Sequence, residues 1–422
     1  MDTSTRPTTD AGPSRRHFLV GTAAAAGTTV VLSRAASVGA AAPVTGRSLV
    51  VIFLRGGADG LTLLPPLGDP SYAARRGALR VQPGTARALT GPAANNYFAL
   101  HPQAPRLASL YQSGRMAVVP AAGLPVINRS HFDAQLMMEA GSFGLAHGSG
   151  WAGRWLHATE HPNDHVLRSI GFGGTTPASL RGHASMVAYS LADLSLLGWG
   201  PNRQQVRTNQ VERLTQGGVH PLLSQWTGPT LDTIDSLATL GNTDLPAGWP
   251  DTPLGRRLWP VARLIEAGFP VEFSHAELDG WDTHSNQGSP DQPTANMSSL
   301  VAQLDGAIGA FFDRIGQRID QTTVVVMSEF GRRAEVNSSA GTDHGTAFPM
   351  MVLGGGVRPG VLGPWPGLAS NQLIDGDLRL SVDYRTVLSE VLSRRLGATS
   401  THLSTVFPGF SNSPAGWLGV CQ

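Results

Sequence analysis

Lysine is missing from this chain: all 31 basic side chains are arginine. That absence removes Schiff-base lysines, phosphate-binding lysines of nucleotide loops and Ser-Lys dyads from the possible chemistries. Cysteine is nearly missing too. With Cys421 alone, no intrachain disulfide can form, and a thiolate metal cluster or thiol nucleophile is disfavoured. Neither sign of charge dominates, with 31 basic residues against 30 acidic. This balance argues against a nucleic-acid surface or a polybasic membrane patch. Beyond the N-terminal leader no apolar run reaches the roughly 20 residues that a membrane span needs, so no stable span is expected in the mature chain.

What is present begins with a leader. Arg15-Arg16 precede His17-Phe18-Leu19 and a run of Ala, Gly, Val and Leu that ends in small residues before Pro43. This is the pattern of a twin-arginine signal peptide, residues 1–42, with cleavage expected near Ala40 to Ala42. It predicts passage through the twin-arginine export machinery to the periplasm, cell envelope or exterior. The apolar part, roughly 15 residues, is short for an anchor. Removing it leaves about 380 residues, enough for one large core. The 51 Gly and 30 Pro predict many loops, and 41% hydrophobic residues are too many for disorder.

Short apolar runs alternate with helical patterns from residue 47 to 422. Residues 48–54 (SLVVIFL) read as a buried parallel strand, as do 322–327 (TTVVVM); 116–120, 271–274 and 350–353 are further strands. Residues 296–315 carry Leu300, Leu304, Ile308, Phe311, Phe312 and Ile315 at helical spacing, and 384–394 form a second such helix. The alternation predicts a three-layer αβα sandwich around a mostly parallel sheet. Residues 203–253, polar and punctuated by Pro and Gly, read as a loop-rich insertion.

Chemistry-bearing residues collect where those strands end. Asp59 follows the first strand, Asp279, Asp282 and His284 follow the strand at 271–274, Glu329 follows 322–327, and Asp343-His344 precede 350–353. Open α/β sheets bind ligands outside the carboxyl ends of their strands. A lone Asp in a Gly-rich loop is ordinarily a turn former; joint placement after several strands points instead to a divalent metal site. Carboxylates and imidazoles suit Zn, Mn, Fe, Mg or Ca. A further segment, Asn128 to Glu139, puts Ser130 at a helix start. Ser130 is either a helix cap, with Asp133 three residues on, or a nucleophile whose alkoxide the helix N-terminus stabilises, with Arg129 holding an oxyanion.

Seven stretches in order carry a family resemblance: LRGGADG at 54–60, NRSHFDAQ at 128–135, GWAGRWL at 150–156, GWDTHSNQ at 280–287, SEFGR at 328–332, GTDHG at 341–345 and DYR at 383–385. Together they resemble the bacterial family called domain of unknown function 1501, in the alkaline phosphatase and sulfatase superfamily. The resemblance implies an alkaline phosphatase-like fold. It also implies Asp59, Asp282, His284 and His344 as metal ligands, with Glu329 and Asp343 as further candidates, and Ser130 as nucleophile. Glu329-Phe330 stand where many members have Asp-His, and Phe330 cannot ligate, which puts a second metal in doubt. The implied activity is hydrolysis of a phosphate or sulfate ester, small or polymeric, with Arg129 or Arg154 on the oxyanion and His131 or His284 protonating the leaving oxygen. Trp151, Trp155 and Trp281 read equally as an aromatic rim to the site or as core. A non-catalytic cell-envelope binding or assembly protein is the alternative, and a Ser-His-Asp esterase, lacking a nucleophile elbow, comes third.

Overall fold

Residues 48–54 are buried on both sides, and their alternation explains the layering. Leu49, Val51 and Phe53 enter one hydrophobic cluster, while Val50, Ile52 and Leu54 enter another on the opposite face. Such a strand cannot sit at a solvated surface, so helices cover it on both faces. Each fully buried Val, Leu or Ile contributes about 1.5–3 kcal/mol. The computed structural model describes residues 46–143, 148–161, 164–165, 167–188, 190–191, 209, 233, 236–237, 240, 244–411 and 413–422. The expected leader at 1–42 and most of the expected insertion at 203–253 lie outside the described residues.

The strands are β1 (Ser48–Leu54), β2 (Arg87–Leu89), β3 (Asn95–Leu100), β4 (Met116–Gly123), β5 (Ser169–Phe172), β6 (Met186–Ala188), β7 (Phe273–Leu278), β8 (Thr322–Ser328), β9 (Phe348–Gly354), β10 (Gly360–Val361) and β11 (Val382–Asp383). The helices are α1 (Gly60–Leu63), α2 (Tyr72–Arg76), α3 (Pro105–Gln112), α4 (His131–Ala140), α5 (Trp151–Ala158), α6 (Pro253–Glu266), α7 (Asn296–Ile315), α8 (Tyr384–Leu396) and α9 (Ser400–Val406). The main sheet runs β10-β4-β9-β8-β1-β7-β5-β6, with β11 also on β4; β2 and β3 form a separate hairpin pair. All main-sheet pairings are parallel except those of β9, which is antiparallel to both β4 and β8.

Helices α3, α6 and α7 pack on one face and α4, α5, α8 and α9 on the other, completing a three-layer α/β sandwich with a mixed, mostly parallel sheet. Trp151, Trp155 and Trp281 are 1%, 1% and 0% exposed, so they are core and not a rim. No helix among the described residues is long and apolar enough to cross a membrane.

Strand direction positions the site. β1, β4, β7 and β8 end at one edge of the sheet, and β9, running the other way, begins there. The loops leaving four strands and the loop entering a fifth therefore meet.

Candidate metal centre

At that edge the turn after β1 packs directly on the loop after β7. Gly56 and Gly57 have φ of +116° and +61°, and a Cβ on Gly56 would stand 2.6 Å from the Asp282 nitrogen. Only glycine allows that approach. Backbone bonds tie the loops together: Trp281 N–H donates to Arg55 O at 3.2 Å, Thr342 N–H to Thr283 O at 3.1 Å, and Gly345 N–H to Gly331 O at 2.9 Å.

Three imidazoles converge on this framework. The Nε2 atoms of His131, His284 and His344 lie 3.4, 3.2 and 3.3 Å from Asp282 Oδ1, and the His284 and His344 Nε2 atoms are 2.8 Å apart. Each ring is held from behind by its other nitrogen. His131 Nδ1 meets Glu329 Oε1 at 2.8 Å, His284 Nδ1 meets Asp343 Oδ1 at 3.2 Å, and His344 Nδ1 meets the Arg129 carbonyl at 2.7 Å. Ionised carboxylates and a carbonyl only accept, so all three Nδ1 atoms donate and the Nε2 atoms carry lone pairs. Lone pairs crowded together without a proton between them repel, whereas a cation among them makes the arrangement favourable. The outward Nδ1 contacts to carboxylate or carbonyl are those of metal-ligating histidines. Ligand atoms on a tetrahedral zinc lie roughly 3.3–3.5 Å apart, close to the three distances at Asp282. His131 Nε2 is buried without a hydrogen-bond partner, as expected of an atom awaiting a ligand. His131, Asp282 and His344 therefore have the mutual spacing of ligands to one divalent ion, with His284 Nε2 beside them at 2.8 Å from His344 Nε2.

Electrostatics agree. Burial, the largest influence on Asp282, pushes its carboxyl up, but Arg332 and the neighbouring imidazoles outweigh it and bring the pKa to about 2. The bond to Glu329 raises His131 against burial, and burial lowers His344. For Glu329 burial raises the pKa, and the donors His131 and Gln135 more than offset it, leaving it below the usual range. The Phe330 ring lies tilted against both His131 and His344, with ring centroids 4.9 and 4.8 Å away, and walls the site.

The structure thus brings together Asp282, His284 and His344, and adds His131, which sequence placed as a proton donor. It moves other expected ligands out of direct reach. Asp59 is fully buried and its carboxylate pairs with Arg76, Gln287 and Thr62. Glu329 Oε1 accepts from His131, from Gln135 Nε2 at 2.9 Å and from Gly56 N–H at 2.9 Å, so it orients His131. Asp343 accepts from Asn337 Nδ2 at 2.9 Å and orients His284. Arg129 is bound to Asp377 through Nε and Nη2 at 3.2 and 2.6 Å, and Arg154 to the carbonyls of Ser149, Thr405 and Val406. The Arg154 guanidinium is fully engaged, whereas Arg129, with a side chain 36% exposed, is bound to Asp377 through Nε and Nη2 alone. Asp279 lies 3.5 Å from Arg257. Ser130 is exposed and caps α4, accepting from Asp133 N–H at 3.5 Å. Sequence reasoning passed over Arg332, although it stands inside the SEFGR motif.

A second acid–imidazole group, Glu139, His275 and Glu277, also has metal-ligand spacing. Arg55 bridges its two carboxylates, 2.8 Å from Glu139 Oε2 and in contact with Glu277. Ser179 Oγ lies 3.0 Å from His275 Nδ1, yet both residues are buried, which denies a substrate access to this Ser-His-Glu row.

An α/β sandwich with a histidine-rich centre at its strand ends is the class this chain presents. Residues 243–402 match the family model described as "Protein of unknown function (DUF1501)", the family that the chain's motifs resemble. No curated protein matches it. Among solved structures, it is similar to a protein of the alkaline phosphatase superfamily from Vibrio parahaemolyticus, at 12% identity and TM-score 0.31; the match covers 75% of this chain and 62% of that one. A lipoteichoic acid synthase from Listeria monocytogenes matches at 12% identity and TM-score 0.34, over 75% and 67% of the two chains. An alkaline phosphatase from the Antarctic bacterium TAB5 matches at 12% and 0.28, over 74% and 93%.

Proposed function

We propose that this protein is an exported, metal-dependent hydrolase of phosphate or sulfate esters. The observation that carries the reading is the set of three imidazoles whose Nδ1 atoms are engaged outward and whose Nε2 atoms converge on Asp282 Oδ1. His131, His284, His344 and Asp282 would hold the ion, with Glu329, Asp343 and the Arg129 carbonyl fixing the rings. A divalent ion bound there would supply Lewis-acid polarisation of an ester oxygen and charge neutralisation.

The remaining work falls to the chain's own groups. Ser130 precedes His131 directly, and its Oγ accepts from Asp133 N–H, which leaves its own hydroxyl hydrogen unengaged. The first-turn N–H groups and dipole of α4 favour negative charge at that position. Phe330, in contact with His131 and His344, keeps water from one side of the imidazoles. One specific observation favours the alternative of a non-catalytic binding protein: Arg154 is wholly committed to other groups and Arg129 is held by Asp377 through Nε and Nη2, which leaves at most Arg129 Nη1 for an oxyanion.

The test assays generic phosphate and sulfate ester hydrolysis and metal content together, in wild-type protein, an Asp282→Ala/His284→Ala variant and Ser130→Ala. Turnover that needs metal, Asp282, His284 and Ser130 is expected. Bound metal without turnover would leave the binding reading in its place.

A further inference from the structure

We propose that Arg332 is a fixed cation built into the metal centre, holding Asp282 in place as a ligand and limiting the site to a single divalent ion. The inference rests on the metal-centre reading above. Arg332 follows β8, and its guanidinium is fully buried at the floor of the cluster. Nη2 donates to Asp282 Oδ1 at 2.6 Å and to Trp281 O at 3.2 Å, while Nη1 donates to Thr342 O at 2.8 Å. The carbonyls of Gly56 and Gly57 take further bonds. One side chain therefore joins the turn after β1, the loop after β7 and the loop before β9, and its fork sets the orientation of the one carboxylate that faces all three Nε2 atoms. Lysine, with a point charge and no planar fork, cannot reproduce that set of bonds.

Charge balance argues for one ion. With neutral imidazoles, the carboxylates of Asp282, Glu329 and Asp343 bring three negative charges and Arg332 one positive charge. The remaining two are cancelled by one divalent cation, and a second would leave the centre positive beside a buried guanidinium. Nor do the surrounding acids supply a second ligand set. Asp59 pairs with Arg76, Asp377 with Arg129, and Glu139 and Glu277 with Arg55.

The experiment titrates the purified full chain with Zn²⁺ and counts bound ions by native mass spectrometry. One ion per chain at saturation is the expected result. Two ions would overturn the role given to Arg332 while leaving the metal centre standing, and none would overturn the metal centre itself. Arg332→Lys keeps the charge and removes the fork, and is expected to weaken Zn²⁺ binding about 10–100-fold, the usual effect of losing a residue that orients a ligand. Circular dichroism and melting of the metal-free variant report its folding. A folded Arg332→Lys protein with wild-type Zn²⁺ affinity would overturn the positioning role; if that variant does not fold, the ion count of the unaltered chain still decides the charge-balance claim.

Discussion

The same residue types meet twice at neighbouring places in this sheet, with different outcomes. In the Glu139, His275 and Glu277 group, the two carboxylates already share the Arg55 guanidinium, and Glu139 and His275 are only 3% and 2% exposed. In the group around Asp282, three Nε2 atoms face one carboxylate oxygen, and the side chains of His284 and Asp282 are 43% and 49% exposed. The first is a closed ion-pair network of the kind that stabilises a fold only while it is complete. The second is preorganised by partners standing behind the rings and is open in front. Composition does not separate a site from a structural network here, and His131 Nε2 and His275 Nε2 are alike in being buried without a hydrogen-bond partner; what separates them is whether a ligand can reach the group.

That contrast can be broken from either side. The largest effect is expected from Asp282→Ala with His284→Ala, which should abolish stoichiometric metal binding in metal analysis; retention of the ion would place it elsewhere. Arg55→Met should leave metal content untouched but strand two carboxylates. We expect a loss of about 3–5 kcal/mol in urea unfolding, and a loss below about 1 kcal/mol would show the network to be dispensable. Glu329→Gln weakens the hold on His131 Nδ1 and should cost about 10–100-fold in metal affinity by calorimetry. Acid should act on the closed network. Although burial raises the Glu277 pKa, His275 and Arg55 hold it far below the usual carboxylate range. A depressed folded-state pKa contributes stability above the unfolded value of about 4.3, and that stability is lost as pH falls further. The melting temperature of wild-type protein should therefore drop below about pH 4.3 more steeply than that of Glu277→Gln. At the small end, Phe132, 87% exposed beside His131, should tolerate Phe132→Ser within about 0.5 kcal/mol by chemical unfolding.

Much of the fold was legible because the core strands are buried on both faces. β1, β8 and α7 match their apolar runs or helical spacing to within a residue. β7 was expected at 271–274 and occupies 273–278, because its second half carries His275 and Glu277, polar side chains taken into the closed network. α6 was not read from the sequence. The punctuated segment was expected to run to Pro253, yet Pro253 opens the helix behind the Thr252 cap, and Pro260 lies within it beside buried Leu258 and Val261. β5 and β6 are too short to show a period.

At the centre, clustering after strand ends pointed to Asp282, His284 and His344. Spacing alone gave no means of telling an atom that faces an ion from one that faces a ligand, so Glu329 and Asp343 were expected in the first rank and stand behind the rings. Arg55 and Arg332 drew no expectation, although each sits within a motif beside acid-bearing loops. In a chain whose only permanent cationic side chains are arginines, those positions were the available signal for internal cations.

The most direct measurement is a crystal structure of the protein soaked with zinc, with the ion located by anomalous scattering. A single peak about 2.0–2.2 Å from the Nε2 atoms of His131, His284 and His344 and from an Asp282 oxygen is the predicted result. A peak within the Glu139, His275 and Glu277 group, or none between the three imidazoles, would contradict it.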